Sequence, residues 1–276
     1  MKGILIYYPW EAEKNKGFIQ MFQEKGRLFG IEFSYCSIEE YQNHPLPDFA
    51  LNRTRQPEVS RWYQERSVPV FHSEELVRLA NDKYAALQYL EKHLSEEIKS
   101  QKWCPKSTLF TREEVDLVIC GRKTLPENMV IKSLGGHGGS EVFLTNESWQ
   151  QALKGQDCIV QERISSRSQD LRIYILGGEI YQGILRTGKD DFRSNYSRGG
   201  QVEAYELNLW QKKWIQSFID AFPQEWLGML GMDFILTEDD SLIFNEVEEM
   251  VGCRMLYQCT DKDIVKDYIC WLKKRL

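Results

Sequence analysis

The chain has 276 residues, 42% hydrophobic and 28% charged, so it can bury a substantial core. Lysine and arginine number 35 against 41 aspartate and glutamate residues, and the resulting net charge of −6 argues against a protein that coats nucleic acid. No apolar run approaches membrane-spanning length and the N-terminus lacks a signal-peptide core, so we expect neither a membrane nor an exported protein. Seven scattered cysteines without a C-x-x-C pair favour reduced thiols in the cytoplasm.

The first part of the chain alternates short apolar runs with helical segments. Apolar runs typical of strands buried on both faces lie at residues 3–8, 31–36, 49–52 and 68–71. A helix is predicted over 15–29, and Gly30 closes it. Because strand, helix and strand follow one another, a parallel sheet is predicted, and residues 1–72 are assigned to an N-terminal parallel α/β domain.

Beyond residue 72 the pattern changes from simple alternation to hairpins. Ser73 is a plausible helix cap, and a helix over 82–94 carries Lys83 in its first turn. Further helices are predicted at 149–154, 209–222 and 264–274. Strands are predicted at 108–110, 129–131, 142–144, 158–164, 170–176, 179–186, 231–237 and 242–247. The turn Gly177-Gly178 between two alternating runs is a strong hairpin signal, so an α+β part rich in antiparallel strands is expected.

Four glycines and a lysine stand in a loop between two of these strands. Lys132 ends the first strand, and Gly135, Gly136, Gly138 and Gly139 follow it. Glycine lets another molecule approach the backbone closely, so the loop suits a phosphate group, with the lysine adding a positive charge. A hairpin tip with a surface lysine is the alternative.

The last hairpin brings three carboxylates together. If residues 238–241 form its loop, the register pairs Asp233 with Glu246, Ile235 with Phe244 and Thr237 with Leu242. Strand alternation then places Glu248 on the face of Glu246. Like charges that lie close together among apolar neighbours must be neutralised, and a divalent cation would do this. Ligands that are all oxygen favour Mg²⁺ or Mn²⁺ over zinc. The alternative is an exposed acidic edge that resists aggregation.

A basic loop, residues 187–200, separates the two long hairpins. Arg193 and Arg198 stand in it beside the neutral donors Ser194 and Asn195, and Arg186 directly precedes it. Guanidinium groups suit the bidentate recognition of phosphate or carboxylate. Most such loops are simply solvated. A glycine loop, three carboxylates and an arginine loop in one chain are best explained together by a metal–nucleotide site.

The order of these motifs resembles the ATP-grasp superfamily, and within it the RimK-like carboxylate–amine ligases. The stretches that carry the resemblance are Val130-Ile-Lys-Ser with the glycine loop, Ile159-Val-Gln-Glu-Arg163, Asp170-Leu-Arg-Ile-Tyr, Asp191-Phe-Arg-Ser-Asn-Tyr-Ser-Arg-Gly-Gly200, Gly231-Met-Asp-Phe and Phe244-Asn-Glu-Val-Glu. The resemblance implies an ATP-grasp domain over 73–276, with a small lid subdomain at about 107–163 and a C-terminal antiparallel-sheet subdomain at about 164–276.

The resemblance also implies roles for individual residues. The nucleotide-binding set would be Lys83, Lys132, Gly135, Gly136, Gly138, Gly139, Glu162, Arg163, Asp170, Arg193, Ser194 and Asn195. Within this set the lysines and the glycine loop would contact the phosphates, while Glu162 and Arg163 would lie at the adenine and ribose. The metal set would be Asp233, Glu246 and Glu248, holding two Mg²⁺ or Mn²⁺ ions.

The expected activity is ATP-dependent ligation of a carboxylate to an amine. An acylphosphate would form with release of ADP, stabilised by Arg186 and Arg198, and the amine would then displace phosphate. Arg172 is a weaker candidate for the same role, because its alternation with Asp170 is also explained by a structural ion pair. The substrate, an amino acid, a peptide or a protein tail, stays open, as does a homo-oligomeric state.

One departure from the family pattern bears on this activity. The family usually has Glu-x-Asn at the metal, whereas this chain has Glu246-Val-Glu248. The added negative charge could shift metal preference toward Mn²⁺, and it is the best support for an alternative function. That alternative is a non-catalytic ATP-binding sensor or scaffold with the same fold. Phosphoryl transfer without ligation is a further alternative.

Overall fold

The chain begins with a four-stranded parallel sheet, as the apolar runs predict. In the computed structural model, which describes residues 1–136, 141–188 and 200–276, its spatial order is β2-β1-β3-β4. The strands are β1 (Lys2–Tyr7), β2 (Glu32–Ser37), β3 (Phe49–Asn52) and β4 (Val70–Phe71). All of β3 and most of β1 are buried, which explains why these strands are apolar on both faces.

Four helices accompany this sheet. They are α1 (Pro9–Lys14), α2 (Lys16–Leu28), α3 (Pro57–Gln64) and α4 (Glu74–Ala80). The predicted helix over 15–29 is confirmed as α2, but a separate α1 precedes it because Pro9 occupies a first-turn position that favours helix initiation. The Ser73 cap is also confirmed: its side chain accepts a hydrogen bond from the Leu76 N–H.

A smaller antiparallel sheet follows in the order β5-β8-β6-β7. Its strands are β5 (Ser107–Phe110), β6 (Met129–Ser133), β7 (Val142–Leu144) and β8 (Cys158–Glu162). The helices before and within this region are α5 (Lys83–His93), α6 (Glu96–Lys99), α7 (Arg112–Ile119) and α8 (Gln150–Leu153). A capping box at Thr111 and Glu114 starts α7, a helix that the periodicity did not predict.

The largest sheet is antiparallel, with the order β11-β10-β9-β12-β13. Its strands are β9 (Ser166–Leu176), β10 (Glu179–Thr187), β11 (Gln201–Tyr205), β12 (Met229–Thr237) and β13 (Leu242–Glu248). The remaining helices are α9 (Leu209–Asp220), α10 (Arg254–Cys259) and α11 (Ile264–Arg275), with a 3₁₀ turn at Gln224–Trp226. Both predicted hairpins are confirmed; β11 and α10 are additional elements.

This sheet lies between two apolar clusters. One of its faces packs on α9 and α5 through residues such as Ile173, Phe218 and Phe234. The other face carries Tyr174 and Ile184 and shares a cluster with α11 and the N-terminal sheet. Charged side chains interrupt this second face toward the small sheet, where a cleft opens between the two sheets. Among the described residues, no helix is long and apolar enough to cross a membrane.

The register of the last hairpin differs from its prediction by one residue. Asp233 lies opposite Glu246 as predicted, but Phe234 pairs with Phe244 and Ile235 with Ile243. One residue of β13, Asn245, is therefore extra, and the hairpin contains a β-bulge beside the cleft. The predicted pairings of Ile235 with Phe244 and of Thr237 with Leu242 are wrong because simple alternation does not anticipate a bulge.

Candidate active site

Charged residues lie on four neighbouring strands at the floor of the cleft, in two adjacent rows across the sheet. On β9, Asp170 lies opposite Arg186 of β10, and Arg172 lies opposite Asp233 of β12. Asp233 in turn lies opposite Glu246 of β13. Because directly opposed residues of an antiparallel pair present their side chains on the same face, strand pairing alone brings these groups together.

The floor is held by two arginines that share one aspartate. The Arg172 guanidinium donates to both carboxylate oxygens of Asp233, with Nη2 2.7 Å from Oδ2. Arg186 Nη2 donates to the same Oδ2 at 2.7 Å, and Arg186 also donates to both oxygens of Asp170 at 2.5 and 2.8 Å. Asp233 is almost completely buried, which opposes its ionisation, but the two guanidinium groups hold its carboxyl pKa below the usual range.

Glu248 extends this network to the end of β13. Its Oε2 lies 2.5 Å from Nη1 of Arg172. Arg172, the weaker candidate for the acylphosphate, is in a structural ion pair with Asp233 and Glu248, while Asp170 pairs with Arg186. The negative charge of Glu248 is therefore matched by a guanidinium group.

Glu246 is the least engaged carboxylate of the cleft. Its one ion pair within the described parts of the chain is to Lys83, with Oε2 3.8 Å from Nζ. Burial raises the pKa of its carboxyl, Lys83 lowers it, and the negative charges of Asp233 and Glu248 raise it further, so the net shift is upward. A carboxylate in this state has an unmet requirement for positive charge.

Lys83, at the first position of α5, reaches across to the loop that follows β6. Its Nζ donates to the carbonyl of Gly136 at 2.5 Å and to that of Leu134 at 3.3 Å. A Cβ on Gly136 would lie 2.2 Å from Ser133 Oγ and 2.9 Å from Glu141 Oε2, so a larger residue there would require both side chains to move. The structure therefore brings Lys83 and the first half of the glycine loop together. Gly135 lies in this half as well, whereas Gly138 and Gly139 are outside the described residues.

Lys132 enters the same cleft from the small sheet. Its side chain is buried, and Nζ donates to Oδ1 of Asn245 at 2.7 Å. Burial lowers the pKa of the ammonium to about 8; the charge of Glu246 opposes this shift and that of Lys83 adds to it. Two lysines from different elements thus point at one cavity. Asn245 was not among the predicted site residues, although two successive polar residues inside an otherwise buried strand are a signal for a bulge.

The cavity between the two sheets has apolar walls and polar ends. It contains about 820 Å³ of empty space, its open mouth included. Val130 and Val142 line it from the small sheet and Ile235 from the large one. Apolar side chains on opposite sides of a cleft suit a flat aromatic ring.

Glu162 and Arg163 line the outer part of this cavity, together with Asp170 at its floor. Glu162 Oε1 accepts a hydrogen bond from the Lys106 N–H at 2.8 Å and lies 3.2 Å from Lys102 Nζ. Partial burial raises the pKa of this carboxyl, but the Lys106 N–H and Lys102 lower it, and the net shift is downward. Arg193, Ser194, Asn195 and Arg198 lie outside the described residues, so their predicted roles stay predictions.

The carboxylates of the cleft fit a hard cation by their chemistry. Oxygen ligands suit Mg²⁺ and Mn²⁺, and Glu246 has the unmet charge that such an ion would satisfy. Asp233 and Glu248 are each paired with Arg172, and the described residues contain no cluster of three carboxylate, histidine or cysteine side chains arranged to hold a metal. A metal held by the whole predicted set would therefore require Arg172 to move away from at least one partner.

Comparison with known proteins identifies the family. A family model described as a RimK-like ATP-grasp domain matches residues 80–272. An uncharacterized protein MG011 homolog of Mycoplasma pneumoniae is 26% identical over 95% of this chain and 89% of its own length. A probable alpha-L-glutamate ligase of Haemophilus ducreyi is 24% identical, covering 92% of this chain and 84% of that protein.

Among solved structures, the ATP-grasp ligase PsnB in complex with a phosphomimetic variant of its minimal precursor, Mg and ADP superposes with a TM-score of 0.67 at 14% identity. That superposition covers 99% of this chain and 98% of PsnB, and it shows that the fold is shared. The family model spans the cleft and the four charged strands that form its floor. The chain belongs to the RimK-like ATP-grasp family of ligases, which in general are enzymes that form C–N bonds.

Proposed function

We propose that the protein joins a carboxylate to an amine at the expense of ATP, with an acylphosphate as the intermediate. The observation that carries the proposal is the convergence of Lys83, Lys132 and Glu246 at one end of a cavity with apolar walls. Two ammonium groups provide positive charge for a triphosphate, and the apolar walls suit its base.

The reaction has two steps. An oxygen of the substrate carboxylate attacks the γ-phosphorus, the bond from that phosphorus to the bridging oxygen breaks, and ADP leaves. The amine nitrogen then attacks the acyl carbon, the carbon–oxygen bond to phosphate breaks, and the amine proton passes to solvent. The protein supplies positioning and charge stabilisation.

The residues of the cleft have different proposed roles, according to where they lie. Lys83 and Lys132 are proposed to neutralise phosphate charge, and Glu162 and Arg163, which line the same cavity, to hold the base and ribose. Arg186 is proposed to stabilise the acylphosphate together with Arg198. Its guanidinium is buried and engaged by Asp170 and Asp233, so it acts from a fixed position.

Mg²⁺ or Mn²⁺, as two ions, is proposed to bind at Asp233, Glu246 and Glu248. When bound, such a cation neutralises the phosphate oxygens and polarises the transferring group. The PsnB complex contains Mg and ADP, which supports the same cofactor chemistry here. Glu246 is the residue best placed to accept an ion because its one ion pair among the described residues, to Lys83, is long at 3.8 Å, whereas Asp233 and Glu248 are both bound closely by Arg172.

The names of relatives suggest the class of substrate. One is a probable alpha-L-glutamate ligase, and PsnB was solved with a precursor. We therefore propose an amino acid, a peptide or a protein tail as substrate. All seven cysteines are free thiols, which supports a cytoplasmic location.

The proposal is tested by incubating the purified protein with ATP, Mg²⁺ and a panel of carboxylates and amino acids. Phosphate release and a new amide mass are expected, and Glu246→Gln should abolish both. Glu238→Gln, in the exposed turn of the same hairpin, is the matched control and should retain activity. No ADP with any substrate pair, or undiminished turnover in the Glu246 variant, would refute it.

A non-catalytic nucleotide sensor is the second candidate. It is favoured by one observation: Arg172 occupies two of the three carboxylates proposed to hold metal. A sensor would bind ATP with the same affinity in the presence and absence of Mg²⁺ and would form no ADP. Phosphate release without an amide product would instead indicate phosphoryl transfer alone.

A further inference from the structure

The bulge in β13 turns two successive side chains toward the cleft. Phe244 and Val247 both belong to the apolar cluster on the far face of the sheet, whereas Asn245 and Glu246, between them, both line the cavity. A regular strand alternates its side chains and cannot place two neighbours on one face. The extra residue between the pairs Asp233–Glu246 and Phe234–Phe244 makes this arrangement possible.

Asn245 uses this orientation to bind Lys132 of the small sheet. The Lys132 ammonium donates to Oδ1 of Asn245 at 2.7 Å, across 113 positions of sequence. This hydrogen bond joins β13 of the large sheet to β6 of the small one at the end of the cavity. It holds a long, flexible side chain in one place, and a lysine otherwise loses considerable rotamer freedom when it binds a ligand.

The chemistry of the acceptor matters as much as its position. The amide oxygen of Asn245 accepts an N–H of Lys132 but carries no net charge, so it does not neutralise the ammonium. Among the described residues Lys132 donates no other hydrogen bond, which leaves two of its three N–H groups for a ligand. A carboxylate at the same place would hold the lysine equally well but would cancel its charge and repel phosphate.

We propose that Asn245 is a positioning residue of the nucleotide site, which holds the Lys132 ammonium toward the phosphates without neutralising it. The inference rests on the proposed function, because it takes ATP as the ligand of Lys132. It assigns a role to a residue that acts through another and leaves the reaction steps unchanged.

The first test is the affinity for ADP and for a non-hydrolysable ATP analogue, measured by calorimetry with Mg²⁺. Asn245→Ala is expected to weaken binding about tenfold, the usual cost of losing a hydrogen bond to a charged group. Asn245→Asp keeps an acceptor but adds a negative charge, so it should also weaken binding. Asn15→Ala, which loses a side-chain hydrogen bond to the Glu11 carbonyl far from the cleft, is the matched control and should bind normally.

A double-mutant cycle with Lys132→Met separates positioning from a general structural effect. If Asn245 acts through Lys132, Asn245→Ala should not weaken nucleotide binding any further in the Lys132→Met background. If Asn245→Ala weakens binding equally in both backgrounds, Asn245 supports the fold and the inference is wrong. It is equally wrong if Asn245→Asp binds nucleotide as tightly as the native protein.

Nucleotide binding by the native protein distinguishes failure of the proposed function from failure of this inference. If native protein binds no nucleotide, the proposed function fails and the inference fails with it; if native protein binds and the Asn245 variants bind equally well, only the inference fails. Thermal unfolding of each variant checks that it is folded. If Asn245→Ala does not fold, Asn245→Leu takes its place in the double-mutant cycle, because leucine preserves the side-chain volume but has no hydrogen-bond acceptor.

Discussion

Arg172 and Asp233 face each other across β9 and β12 and form a two-point ion pair in the buried floor of the cleft. Arg172 also binds Glu248, so one guanidinium neutralises two carboxylates that belong to different strands. A buried charge without its partner is strongly destabilising, whereas a fully matched network is tolerated. The structure of the cleft therefore depends on this one arginine.

Replacing Arg172 by methionine should destabilise the fold by about 3–5 kcal/mol, because Asp233 loses a buried partner. The free energy of unfolding from urea denaturation measures this loss. Mn²⁺ should stabilise Arg172→Met more than the native protein, since a cation is then what the carboxylates lack. Arg167→Met removes an exposed arginine of the same strand and should cost below about 1 kcal/mol. Equal losses in the two variants would contradict the prediction.

Nucleotide binding should weaken at alkaline pH through Lys132. Burial lowers the pKa of this ammonium to about 8, so the cation is present below that pH and is lost as pH rises through it. The dissociation constant for ADP should thus be flat up to about pH 7 and increase above about pH 8. Lys132→Arg should move the alkaline limb to higher pH because guanidinium stays charged. An identical pH profile in that variant would exclude Lys132 as its origin.

Acid should destabilise the protein through His72. Burial lowers the pKa of this imidazole from 6.5 to about 3, and the charge of Arg53 adds to the shift. Between these values the unfolded chain binds a proton that the folded chain does not, so stability falls as pH decreases, by up to about 1.4 kcal/mol per unit. His72→Gln should flatten this slope in urea denaturation, with His93→Gln, at an exposed histidine, as the control. An unchanged slope in His72→Gln would contradict the assignment.

Gly177 should not tolerate a side chain. It has a φ of 59°, and a Cβ there would lie 2.2 Å from the Trp271 ring nitrogen of α11. Gly177→Ala should therefore destabilise the protein by about 1–3 kcal/mol, as thermal unfolding can show. Gly17→Ala provides the opposite control: nothing lies within 4 Å of its Cβ position in α2, so alanine should stabilise by about 0.5–1 kcal/mol. The same sign in both variants would contradict the prediction.

Local patterns in the sequence predicted much of this architecture. The buried runs of β1 and β3 indicated a parallel sheet, and Gly177-Gly178 indicated the hairpin of β9 and β10, because both signals depend on neighbours along the chain. The opposition of Asp233 and Glu246 followed from the assumed turn. The helices α7 and α10 were missed, since neither carries a long amphipathic repeat.

Contacts between residues that are distant in sequence could not be predicted from such local patterns. The ion pair of Arg172 with Asp233 depends on how β9 registers against β12, 61 positions later. The bulge at Asn245 shifted the rest of the hairpin by one residue, and its contact with Lys132 joins two different sheets. The domain boundaries and the roles of residues 193–195 and 198 stay predictions.

The floor of the cleft is a row of five charges that alternate in sign, with Asp170 and Glu248 at its two ends. Each inner residue forms ion pairs with two neighbours, whereas each end residue forms an ion pair with one. Substitution should therefore be least costly at the ends, where a lost charge leaves a single group to be satisfied by water or by another cation. Glu248 occupies such an end and is the position at which this scaffold can exchange a carboxylate for an amide without disturbing the rest of the row.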